Sequence, residues 1–170
     1  MHPFYSKNFV ICPRCGADFT NLEDHLYCEV CQLRIYPHPS PATSVFIIND
    51  QKQILLTKRK FEPQKNMWDS VGGFVNTDES IEEGAIREAK EETGLTVKIT
   101  NTVGTKPDEY QGTPTITIAY IATVLSGTAV AADDALELKW FDIDKLPSND
   151  EMAFESVKAL LKKAIEMIKE

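Results

Sequence analysis

The chain has 170 residues, 42% hydrophobic and 26% charged, the balance of a globular protein with one full-sized core and room for a small appendage. Its formal net charge of −8 excludes broad, non-specific nucleic-acid binding, which depends on Lys and Arg, and leaves room for a locally basic pocket. No apolar run approaches the roughly 18 residues of a membrane span, and Met1 to Lys7 has no signal-type apolar region, so a cytoplasmic location is expected.

Residues 1–8 read as a loose leader. All four cysteines follow at once, as Cys12-Pro13-Arg14-Cys15 and Cys28-Glu29-Val30-Cys31, in the form C-x2-C-x12-C-x2-C. Two short knuckles, each offering a pair of thiolates, suit a tetrahedral zinc site. Gly16 supplies the positive φ that turns backbone N–H groups towards sulfur. Disulfides, a redox pair or an iron site are the alternatives. Four thiolates leave no coordination position open, so the site is expected to be structural, and a segment this short depends on its metal to fold. The spacing resembles a zinc ribbon. His2, His25 and His38 read as surface residues.

Three prolines in Tyr36-Pro37-His38-Pro39-Ser40-Pro41 make a stiff connector. Residues 1–36 therefore form a leader and ribbon, 37–41 the connector, and 42–170 a larger domain. Strands are predicted at 42–48 and 53–59, joined by a turn at 49–52, from their β-branched and aliphatic runs. A loop over 60–67 leads to Trp68-Asp69-Ser70-Val71-Gly72-Gly73. A helix is predicted from Ser80 to Thr93, ended by Gly94, with Ile81, Ala85 and Ala89 as its apolar stripe. Further strands are predicted at 96–104, with an interruption between 99 and 102, at 115–125 and at 137–141, with a loop over 106–114. A closing helix over 149–169 carries Phe154, Val157, Leu161, Ala164 and Ile168 along one face. Strands with one early helix and one closing helix predict an α+β sandwich with a mixed sheet.

The early helix carries the chemistry. Glu88, Glu91 and Glu92 stand at i, i+3 and i+4, so three like charges crowd one side of it. Hard divalent cations such as Mg²⁺ or Mn²⁺ relieve that repulsion and bind phosphates through shared coordination. The pattern of Gly73, Glu79, Arg87, Glu88, Glu91, Glu92 and Gly94, with apolar Ala89 and Leu95, matches every fixed position of the Nudix box. Residues 40–165 resemble Nudix hydrolases.

That resemblance implies an α/β/α sandwich and hydrolysis of a nucleoside diphosphate linked to another moiety. It implies Glu88 and Glu92 as Mg²⁺ or Mn²⁺ ligands, with Glu91 sharing or supporting coordination and serving as one candidate general base. The Gly72 carbonyl could add a ligand, because glycine lets backbone approach a metal closely. Glu79 is expected to bind metal through water or to hold Arg87, and Arg87 to orient a glutamate. Asp108, Glu109, Asp133, Asp134 and Glu137 are further candidates for the base. Arg59 is the candidate phosphate contact, for its bidentate fork. Tyr110 is the first candidate for base stacking, with Phe46 and Phe74 behind it.

A zinc ribbon before such a domain is similar to the arrangement of NADH pyrophosphatases. Of that group's S-Q-P-W-x-F-P-x-S segment, the corresponding Gly104 to Gln111 keeps Pro107 alone. The expected function is therefore a Mg²⁺-dependent pyrophosphohydrolase of small nucleotide derivatives such as ADP-ribose, NADH or nucleoside triphosphates, with capped RNA left open. The alternative is a non-catalytic nucleotide sensor whose ribbon contacts protein or nucleic acid. The family makes a homodimer one expected arrangement.

Overall fold

A computed structural model describes residues 2–170. The chain divides into two compact units: residues 1–40 with 109–114, and residues 41–108 with 115–170.

In the first unit the expected loose leader is a short helix, α1 (Pro3–Asn8). His2 caps it by accepting the Phe4 N–H at 3.2 Å, and Pro3 sits at the start, where its missing N–H costs nothing. Ring contacts between Phe4, Tyr5 and Phe9 and a hydrogen bond from the Tyr5 hydroxyl to the His38 carbonyl hold it down. These were illegible as isolated aromatics in the sequence. Three two-residue strands, β1 (Thr20–Asn21), β2 (Leu26–Tyr27) and β3 (Arg34–Ile35), form an antiparallel sheet. The small core beneath it is Cys12, Phe19, Leu26 and Cys28.

The second unit is built on β4 (Ser40–Ile48), β5 (Gln53–Arg59), β6 (Trp68–Asp69), β7 (Thr96–Tyr110), β8 (Thr113–Ser126) and β9 (Ala135–Asp142). The sheet order is β6-β5-β4-β8-β7, with β9 paired along β5. Alternation along the strands gives it two apolar faces. Val45, Ile47, Leu55, Ile118, Tyr120 and Ala122 pack with Ala85 and Ala89 of α2 (Ile81–Thr93). Phe46, Ile54, Leu56, Ala119 and Ile121 pack with Val157, Leu160, Leu161 and Ala164 of α3 (Glu155–Lys169). A mixed sheet between helices is the expected sandwich. Among the described residues no helix is long and apolar enough to cross a membrane.

Several local expectations are corrected. The segment 106–114 is not a loop, since β7 runs unbroken to Tyr110 and turns at Gln111-Gly112, both with positive φ, into β8. Two such residues match the twist of a tight hairpin. Pro107 sits within β7, because that strand lies at the end of the sheet order, where proline is tolerated. Asp108 and Glu109 are accordingly strand residues. The closing helix starts at Glu155 rather than Asn149, after a single 3₁₀ turn at Asn149–Glu151. Met152 is extended there and bridges to Trp68, and the Ala153 N–H donates to the Trp68 carbonyl at 2.8 Å. Ile81 is exposed, so of the expected apolar stripe of α2 only Ala85 and Ala89 are buried. Phe46 is fully buried in the α3-side core and offers no stacking surface.

Candidate active site

The acidic helix is set by its ends. Ser80 accepts the Glu83 N–H at 3.2 Å while the Glu83 carboxylate accepts the Ser80 N–H at 2.8 Å, a reciprocal cap that fixes where α2 begins. Gly94 ends it in a left-handed conformation. The chain enters the helix through Gly72-Gly73-Phe74, which runs beside the start of β4. There the Val45 N–H donates to Val71 and the Thr43 N–H to Gly73. Gly72 has φ +144°, and a Cβ on it would lie 2.2 Å from the Thr43 carbonyl oxygen. A Cβ on Gly73 would lie 2.7 Å from the Glu88 carboxyl group. Gly72 is therefore required by space, whereas a side chain at Gly73 would displace the Glu88 carboxylate.

Arg87 is the hub. Its Nε and one terminal nitrogen donate to both oxygens of Glu79 at 2.9 and 2.7 Å, and the other terminal nitrogen donates to Glu88 at 2.7 Å and Glu91 at 2.8 Å. A fifth bond, of 3.1 Å, goes to the Phe74 carbonyl. The guanidinium and the Asn76 N–H together hold the Glu79 carboxyl down at about 2. Arg87 thus holds Glu79 and orients Glu88 and Glu91, while Glu83 is committed to the cap.

Glu92 lies apart from this fork. It is 6% exposed and accepts the Gly72 N–H at 3.3 Å. Burial, aided by the neighbouring charges of Asp69, Glu88 and Asp134, pushes its carboxyl up to about 9. Burial also raises Glu88, against the pull of Arg87. Asp69 is raised to about 6 by burial, partly offset by Arg59. Glu91 is the most exposed of the three helix carboxylates.

The structure thus brings Glu79, Arg87, Glu88, Glu91, Glu92 and Gly72 together. Gly72 meets the cluster through its N–H. Arg59 turns to Asp69 at 3.1 Å and to the Pro63 carbonyl at 2.8 Å, with its guanidinium 5.0 Å from the Phe154 ring centre. Tyr110 falls in the first unit and is half-buried. Asp133 and Asp134 are close enough to bear on Glu88 and Glu92, and Asp108 on Asp69, whereas Glu137 faces Lys58 at 3.6 Å. The sequence reading missed Asp69. Its position two residues before Val71 on the inward face was the available signal.

In the first unit, Cys12, Cys15, Cys28 and Cys31 place their sulfurs within 4.8 Å of one another. Cys12 and Cys31 are 3.5 Å apart and Cys15 and Cys28 3.4 Å, too far for disulfides and near the roughly 3.8 Å edges of a tetrahedron with 2.3 Å metal–sulfur bonds. Each knuckle closes alike: the N–H groups of Gly16 and Gln32, both left-handed, donate to the carbonyls of Cys12 and Cys28. Gln32 is the half of this pair that sequence did not reveal. The four thiols are placed so that together they could hold one metal ion.

A mixed sheet between two helices, with an Arg-centred carboxylate cluster on one of them, defines the class. The NUDIX domain model matches residues 38–162, and the chain belongs to the Nudix hydrolase family. It is 40% identical over 134 residues to an ADP-ribose pyrophosphatase of Methanocaldococcus jannaschii, covering 78% of this chain and 77% of that one. It is 29% identical over 147 residues to the NAD-capped RNA hydrolase NudC of Pseudomonas aeruginosa, covering 84% of this chain but 51% of that protein. In fold it resembles the crystal structure of a Nudix hydrolase from Nitrosomonas europaea, with a TM-score of 0.77 at 22% identity over 92% of this chain and 90% of that one.

Proposed function

We propose that this protein is a Mg²⁺-dependent pyrophosphohydrolase that cleaves the phosphoanhydride of a small nucleoside-diphosphate derivative, with ADP-ribose as the first candidate substrate. The observation that carries this reading is the state of Glu92. Among the described residues no Lys or Arg pairs with this buried carboxylate, and Asp69, Glu88 and Asp134 surround it with further negative charge. An all-oxygen, acidic donor set of that kind fits a hard divalent cation, Mg²⁺ or Mn²⁺. The identity to the archaeal ADP-ribose pyrophosphatase, over most of both chains, supports the substrate class.

Glu88 and Glu92 would hold the metal, with Glu91 and the Gly72 backbone at its margin. A bound divalent cation neutralises phosphate charge and makes water more acidic. The chain's own residues do the rest. Arg87 fixes the rotamers of Glu79, Glu88 and Glu91 at once, and Glu79 anchors Arg87 from both oxygens. Glu91 gives one oxygen to Arg87, which leaves Oε1 to take the proton of the attacking water, so Glu91 is the proposed general base. Asp133 is the loop alternative. Water adds to one phosphorus and the bridging oxygen leaves with the other, giving two phosphomonoesters. Zinc is the proposed metal of the four cysteines, in a structural role, and the cytoplasm the proposed location.

The test is a Mg²⁺-supported hydrolysis panel of ADP-ribose, NADH, nucleoside triphosphates, diadenosine polyphosphates and 5′-NAD-capped RNA, with Glu91→Gln alongside. Turnover that the variant loses supports the reading, and the best substrate names the subclass. Tight nucleotide binding without turnover of any compound overturns it in favour of a sensor.

A further inference from the structure

Among the described residues, Thr57 Oγ1 is the buried side-chain atom with no hydrogen-bond partner in the protein, on a residue 4% exposed. An orphaned buried hydroxyl is either idle cost or the mark of ordered solvent at a working site. Its surroundings distinguish the two. Thr57 lies on β5, with Asp69 of β6 opposite it on one side and Leu138 of β9 on the other. By alternation it shares a face with Leu55, which packs with Ala85 and Ala89 of α2. Asp69 shares that face through Val71, a member of the same core. Thr57 and Asp69 are thus a cross-strand pair, about 5 Å apart at Cβ, rising together towards the acidic helix.

Glu92 enters this layer from the helix side. One of its oxygens takes the Gly72 N–H, and it stands near enough to Asp69 to feel its charge. The other polar groups of the layer are already matched. Ser44 and Ser70 bond each other at 2.7 Å. Asp69 takes the Ser70 N–H at 2.8 Å and Arg59 at 3.1 Å. Among the described residues this leaves, without a protein partner, the Thr57 hydroxyl on β5 and the second oxygen of Glu92 on α2.

We propose that Thr57 is a positioning residue for Glu92: through one ordered water anchored on Thr57 and Asp69, it holds the free carboxylate oxygen in the orientation that receives the divalent cation. Such a water has the two to four polar partners that a buried water needs. Outer-layer groups that orient ligands typically change metal affinity about 10–100-fold when removed. This inference rests on the reading of Glu92 as a metal ligand.

The experiment compares wild type with Thr57→Val, which keeps the shape and removes the hydroxyl, and with Thr57→Ser, which keeps the hydroxyl. Mg²⁺ binding is measured by calorimetry without nucleotide, and the Mg²⁺ dependence of ADP-ribose hydrolysis in parallel. Thr57→Val is expected to weaken Mg²⁺ binding about tenfold or more, with KM for ADP-ribose at saturating Mg²⁺ unchanged, and Thr57→Ser to restore it. Should Thr57→Val fold poorly, Thr57→Ala against Thr57→Ser isolates the hydroxyl in the same way. An idle orphan predicts the reverse: a more stable Thr57→Val with wild-type Mg²⁺ affinity, which overturns the proposal. Wild type that neither binds Mg²⁺ nor turns over overturns the functional reading itself. Wild type that does both, beside an unaltered Thr57→Val, overturns only this inference.

Discussion

Replacing Glu92 by Gln should stabilise the metal-free protein, and the gain should grow with pH. In the folded protein the Glu92 carboxyl titrates at about 9, through burial and then the carboxylates around it. In the unfolded chain it titrates near 4.3. Between those values the unfolded state has lost the proton and the folded state keeps it, so stability falls as pH rises. At about 1.36 kcal/mol per unit, the cost is about 1 kcal/mol at pH 5 and about 3–4 kcal/mol at pH 7. Gln mimics the protonated form and can still accept the Gly72 N–H, so it escapes the cost at every pH. Both tryptophans, Trp68 and Trp140, lie in the second unit, so urea unfolding followed by fluorescence reports this domain. Measured in magnesium-free buffer, Glu92→Gln should exceed wild type by a margin that widens from pH 5 to pH 8. Mg²⁺ should stabilise wild type more than the variant, and bind wild type more tightly as pH rises, because binding must expel the Glu92 proton. A margin that is flat with pH, or a variant weaker throughout, would refute the account.

Glu79 gives the opposite sign. Held at about 2 by Arg87, its carboxylate contributes stability that is present above the unfolded value near 4.3 and lost as pH falls towards 2; Glu79→Gln should flatten that acid limb in a pH series of thermal melts. Arg87→Lys should lower kcat/KM roughly 10–100-fold or more, because an ammonium cannot hold Glu79, Glu88 and Glu91 in one plane; activity within twofold of wild type in a steady-state assay would exclude the hub role. Gly72→Ala should cost at least several kcal/mol or fail to fold, read by circular dichroism, since its Cβ meets the Thr43 carbonyl at 2.2 Å and its φ is positive. Chelation of the ribbon metal should unfold the first unit, seen as loss of amide protection over residues 9–35 in hydrogen exchange.

Composition, the four-cysteine spacing and the box pattern were legible because each is a local constraint written in consecutive residues. Gly94 had to end α2 and Ser80 to begin it; the charges at 88, 91 and 92 had to share a side, since helical geometry leaves no other arrangement. The sandwich followed from alternating apolar residues on strands flanked by two amphipathic helices. Errors arose where a distant partner overrode local preference. Met152 and Ala153 stay out of the helix because β6 bonds them, Pro107 stays in a strand because the edge asks nothing of its nitrogen, and residues 3–8 coil into a helix under an aromatic cluster.

The site divides the same way. The sequence by itself determined which carboxylates lie on one helix and that glycines precede them. Only the tertiary structure decided that Arg87 grips Glu79, Glu88 and Glu91 while Glu92 is buried without a cation. It alone set Asp69 within range of Glu92 and opposite Thr57 on the neighbouring strand. The physical reason is that spacing along a chain sets which side chains share a face, whereas burial and charge depend on what packs against that face from strands tens of residues away.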